Sequence, residues 1–147
     1  MTISKPIRIV AMATVLLWAT APMAVGATFK SQFMNESSSK VKADILHTGG
    51  SLQKDKNIPK GESHTFDFGV KCGKTHTRRF DVWDKTGGTL GPKIGTGLFE
   101  MKAKSSGDCN AKYFTFRTCT DLDAQDRFSV TCSSVNENKG VIEIRND

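Results

Sequence analysis

Three histidines, His47, His64 and His76, are the side chains of this 147-residue chain best suited to move protons near neutral pH. Small hydrolases pair two histidines, or a histidine and a glutamate, for that purpose. Glu62 stands two positions before His64, and His76 precedes Arg78 and Arg79, whose guanidinium groups suit a phosphodiester. A small secreted hydrolase or nuclease using His64 or His76 is therefore one reading. Nothing in the spacing fixes the mutual geometry of these groups, and histidines beside turn residues are usually solvated. No G-x-S-x-G elbow or H-E-x-x-H pair accompanies them. No residue is assigned a catalytic role, and an enzyme is the less favoured class.

Residues 87–97 read GGTLGPKIGTG, a run that invites comparison with phosphate-cradling loops. A Walker-type loop needs G-x-x-x-x-G-K-[ST], and no glycine-lysine pair occurs here. A dinucleotide fingerprint opens a helix, whereas Gly95-Thr96-Gly97 leads into Leu98-Phe99-Glu100, which reads as a strand. The expectation is a plain connecting loop of about twelve residues, longer than most. The alternative is that Lys93 and Ile94 use it to touch a ligand or a membrane.

Asp121, Asp123 and Asp126 place three carboxylates in one turn, but a calcium loop needs Gly at its sixth position and Glu at its twelfth. Asp126 and Cys132 stand there instead. A solvated turn is expected, with no metal and no cofactor. KYFTFR (112–117) lacks the glycines of RNA-binding strands, so its phenylalanines read as core. Asn35-Glu36-Ser37 is a glycosylation sequon, meaningful only in a eukaryotic source.

A basic set, Lys71, Lys74, Arg78, Arg79 and Lys85, surrounds Trp83 in sequence. By alternation Trp83 shares a face with Arg79, opposite Phe80 and Val82. An outward tryptophan beside arginines suits a sugar or a lipid headgroup; packing beneath the glycine run is an equal alternative. Trp83, Arg78, Arg79 and Lys93 are the candidate binding residues.

The elements that must position these groups are strands. Phe66, Phe68, Val70 and Cys72 alternate with polar neighbours, and the same period recurs around Phe80, Phe99, Phe114, Phe128 and Ile142. With candidates at 28–34 and 40–47, about eight short strands punctuated by HTGGS, PKGES, CGKT, DKTGG, SSGD and NENKG give an all-β, single-domain antiparallel β-sandwich or barrel.

Four cysteines, Cys72, Cys109, Cys119 and Cys132, with no C-x-x-C pair, imply two disulfides in an oxidising compartment. Cys109 and Cys119 bracket a strand; ten extended residues span about 33 Å, far beyond disulfide reach. If the strands around Phe116 and Val130 form a hairpin across TDLDAQD, the preferred connectivity is Cys72–Cys109 with Cys119–Cys132. That pairing requires a bulge, because strict alternation turns Cys119 and Cys132 to different faces.

Lys5 and Arg8, the apolar run 9–21 and the small residues Val25-Gly26-Ala27 have the order of a secretory signal. The expected division is a signal peptide over 1–27 and a secreted domain over 28–147, periplasmic or extracellular, with no membrane-spanning stretch after the leader. The leader holds two of 21 basic and none of 15 acidic residues, leaving 19 − 15 = +4 on the domain. That charge weakly favours an acidic partner. The leading reading is a non-enzymatic module that binds a protein, glycan or lipid surface. A membrane-active toxin is the second reading, and exposed aromatics beside a cationic patch would distinguish it.

Overall fold

A computed structural model describes residues 26–104, 109 and 112–147. The leader expected over 1–27 lies outside them, apart from Gly26 and Ala27, which open the first strand. Nine strands follow: β1 (Gly26–Asn35), β2 (Val41–His47), β3 (Leu52–Ile58), β4 (Ser63–Lys71), β5 (Thr75–Asp84), β6 (Lys93–Ala103), β7 (Lys112–Asp121), β8 (Phe128–Asn136) and β9 (Lys139–Asn146). They form a β-sandwich, with one sheet in the order β4-β1-β9-β8 and the other β3-β2-β5-β6-β7. Neighbours are antiparallel except β1 and β9, which run parallel.

The alternation expected from the sequence sets the core. Phe29, Phe33, Phe66, Phe68, Phe80, Phe99, Phe114 and Phe128 are buried between the sheets with Ile45, Ile142 and Ile144. Edge-on contacts such as Phe33–Phe80 at 5.8 Å and Phe68–Phe99 at 5.7 Å interlock the two layers, and Phe99 stacks on Phe114 of its own sheet at 5.1 Å. Full burial of each such ring contributes about 1.5–3 kcal/mol.

The strand missed by pattern is β3. As the edge of the five-stranded sheet it exposes both faces over most of its length, so LQKDKNI carries no alternation to detect. Its charged residues also blunt an edge open to strand pairing.

Both disulfides have the expected connectivity, with Cα–Cα distances of 5.4 Å for Cys72–Cys109 and 6.2 Å for Cys119–Cys132. The hairpin expected between the strands of Phe116 and Val130 does not form. β7 and β8 belong to different sheets, and residues 122–127 cross between them. The Cys119–Cys132 bond therefore ties sheet to sheet. The bulge that it requires is present: Leu98 pairs with Thr118 and Phe99 with Phe116, so Arg117 is the extra residue. Cys119 consequently stands opposite Gly97, with its sulfur toward β8.

Asp123 locks the crossing segment. Its carboxylate accepts hydrogen bonds from the backbone N–H groups of Arg127 (2.7 Å) and Phe128 (3.0 Å). Burial pushes its pKa up, but the backbone donors of Arg127, Gln125 and Phe128 and the Arg127 charge outweigh burial and hold it below the usual carboxylate range. The three-aspartate turn is thus tied to its own backbone, and no group of three or more metal-ligating side chains occurs among the described residues.

Candidate functional site

The five-stranded sheet turns one face to solvent, and in its middle lie two buried carboxylates. Asp44 on β2 and Asp81 on β5 are register partners, 8 % and 2 % exposed. Two buried acids on a solvent-facing sheet require cover and counter-charge, and the surrounding strands provide both. Arg79 Nη2 lies 3.2 Å and Lys93 Nζ 3.3 Å from Asp81 Oδ2, and the Thr96 hydroxyl donates to Oδ1 at 2.7 Å. Lys42 Nζ stands 3.1 Å from Asp44 Oδ1, outside hydrogen-bonding geometry, and the Trp83 indole N–H donates to Asp44 Oδ2 at 3.0 Å. Arg79 Nε is buried without a hydrogen-bond partner among the described residues.

A second bulge builds this arrangement. Val82 pairs with Gly95 and Trp83 with Lys93, so two residues, Lys93 and Ile94, face Trp83 alone. The kink sends Ile94 into the core and Lys93 outward. The Lys93 ammonium then sits 5.0 Å over the Trp83 ring while it pairs with Asp81. Such a cation–π contact contributes about 0.5–1 kcal/mol at exposed sites. Trp83 lies half-buried on the Arg79 face, as alternation predicts, and Lys93 of the glycine run lies over its ring.

Of the four candidate residues, the structure brings Arg79, Trp83 and Lys93 together and separates Arg78. Arg78 shares the Phe80 and Val82 side of β5, where its Nε donates to Gln53 Oε1 at 2.7 Å. The wider basic set is divided too: Lys71 and Lys74 flank the β4–β5 turn at one end of the sandwich, and Lys85 follows β5 at the other. Asp44, Asp81 and Lys42 went unrecognised because their significance lies in pairing between strands. Buried aspartates inside alternating runs were the available signal.

The remaining motifs become structural. The 85–92 connection is eight residues, shorter than expected, because Lys93 to Gly97 already belong to β6. Ile94 is fully buried, which overturns its reading as a ligand or membrane contact. His64 stacks edge-on against Phe66 at 4.7 Å, at the end of the sandwich opposite His76. Seven residues of β4 put the two roughly 20 Å apart, so they form no proton-transfer pair. Asn35 of the sequon is 1 % exposed. Its Nδ2 reaches the Ser39 and Ile58 carbonyls at 2.7 and 3.0 Å, and its Oδ1 accepts from the Ser37 hydroxyl at 2.6 Å. That amide serves the fold and is sterically closed to a glycan.

No protein-family model matches the chain, and no curated protein matches it. Fold and surface define a disulfide-bonded all-β protein with all four cysteines bridged. Such bridging is the product of an oxidising, non-cytoplasmic compartment. No helix among the described residues is long and apolar enough to cross a membrane.

Proposed function

We propose that the protein is an exported, non-enzymatic binding module whose contact surface is the outer face of the five-stranded sheet, centred on Arg79, Trp83 and Lys93, and whose partner is acidic. The observation that carries this reading is the lysine held between the Trp83 ring and the Asp81 carboxylate. Three cations, Lys42, Arg79 and Lys93, surround the two buried carboxylates and Asp55 pairs with Lys42 from β3, so the cluster itself is charge-balanced. It is the +4 of the domain that favours an acidic partner. Ion pairs and the bulge fix the side chains before any partner arrives, which lowers the entropic cost of binding. An amphipathic ring beside fixed cations suits a carboxylated or sulfated sugar, or an acidic peptide.

The test is a screen of acidic glycans, anionic vesicles and acidic proteins against the native domain and an R79A/W83A/K93A variant. Loss of binding in a variant that keeps its strand-type circular dichroism supports the assignment. A variant that retains every native interaction contradicts it.

One observation favours the second reading, a membrane-active protein. Tyr113 is 46 % exposed, and the Lys104 ammonium lies 5.3 Å over its ring. Leakage from anionic or neutral liposomes would support that activity; intact liposomes of both kinds would remove it.

A further inference from the structure

Arg78 is the one candidate residue that the outer face does not use. Its register partner across the β2–β5 pairing is His47, and His76 lies two residues earlier on the same side of β5. Three groups able to carry positive charge therefore meet at one end of the sandwich. None of them forms an ion pair among the described residues. The acids of neighbouring strands are committed elsewhere: Asp55 to Lys42, Asp67 to Lys30 and Glu100 to Arg117.

The guanidinium is nonetheless oriented. Gln53 Oε1 accepts from Nε at 2.7 Å and the Thr77 carbonyl from Nη1 at 2.9 Å, while Nη2 has no partner among the described residues. Burial lowers the Arg78 pKa. Burial, then Arg78, then His47 lower that of His76. For Arg78 burial is the whole cause; for His76 burial comes first, and the added effect of Arg78 and His47 is that of neighbouring cations. Lys71 and Lys74 flank the turn at the same end, also without an ion pair among the described residues, and deepen its positive potential.

We propose that Arg78, His76 and His47 form an anion subsite, separate from the outer face, that takes a tetrahedral oxyanion: a phosphate or sulfate ester. The free Nη2 and the two imidazoles supply donors from two strands, which suits an anion with three or more acceptor oxygens. An isolated arginine on a sheet edge would lack that convergence.

The experiment follows the histidine ring signals of the domain by NMR at pH 6.0 during titration with inorganic phosphate or sulfate, against chloride at equal ionic strength. Saturable shifts of His47 and His76 are expected, with His64 unmoved. R78Q should weaken phosphate about tenfold and H76Q should weaken it less, while K102Q, altered on the other face of the sheet, should leave it unchanged. R78K, which keeps the charge and loses the fork, should fall between and replaces R78Q if that variant fails to fold. A sulfated disaccharide and vesicles containing phosphatidate distinguish a sugar from a lipid carrier by which one binds more tightly than its free anion. The subsite is refuted if chloride reproduces the shifts, if R78Q and H76Q bind phosphate as the native domain does, or if K102Q weakens it as much as R78Q.

Discussion

Lys93 lies over Trp83, its ammonium 5.0 Å from the ring centroid, because one extra residue interrupts the β5–β6 ladder beside them. Without that bulge, the alternation that buries Gly95, Gly97 and Phe99 would turn Lys93 inward and Ile94 outward. Backbone irregularity thus positions a surface cation, and its position joins an aromatic face to a buried carboxylate.

The glycines around this bulge divide into two kinds. A Cβ on Gly95 would lie 2.8 Å from Val130 Cγ2, and one on Gly97 would enter the Phe80 ring and the Thr118 carbonyl. Gly87 faces open space with no positive φ. G97A is therefore expected to lose about 1–3 kcal/mol by overpacking and G87A to change stability by less than about 0.5 kcal/mol. Urea unfolding compares them; equal losses would refute the division of the run into core strand and loop.

The β6–β7 bulge makes a chemical prediction. Deleting Arg117 restores simple alternation in β7, turns Cys119 away from β8 and should leave two titratable thiols under oxidising conditions. In otherwise native protein, C119S/C132S should cost about 3 kcal/mol and C72S/C109S about 4 kcal/mol, from loops closed across 13 and 37 residues. A deletion variant with no free thiol would show that the bulge is dispensable for the bond.

Stability should fall on mild acidification. Burial and Lys56 hold His64 below the usual histidine range against the opposing charge of Asp67; burial, Arg78 and His47 do the same for His76. A histidine with a depressed folded pKa takes up its proton more readily in the unfolded chain. Its contribution is complete above the ordinary value of 6.5 and declines as pH drops through the window below it. Thermal melts should shift downward from pH 7.5 to pH 5, and H64Q/H76Q should flatten that slope. A melting temperature that holds steady or rises over this interval would contradict the assignment.

Much of the sandwich was legible because two-residue periodicity survives wherever one face is buried, as in β4 with Phe66, Phe68 and Val70. The pattern failed at β3, which is exposed on both faces, and at the β7–β8 connection, where a turn between strands does not say whether the chain stays in its sheet. At the outer face, alternation placed Trp83 with Arg79. It could not place Arg78 with His47, or Asp44 with Asp81, because those relations depend on register between strands remote in sequence.

The most direct measurement is an NMR titration of the domain with a short dextran sulfate, observing backbone amides and the indole N–H of Trp83, the only tryptophan after residue 18. The Trp83 indole and the amides of Lys42, Arg79 and Lys93 should shift together and saturably. An outer face that stays silent while shifts occur elsewhere, or nowhere, would contradict the binding surface proposed for this protein.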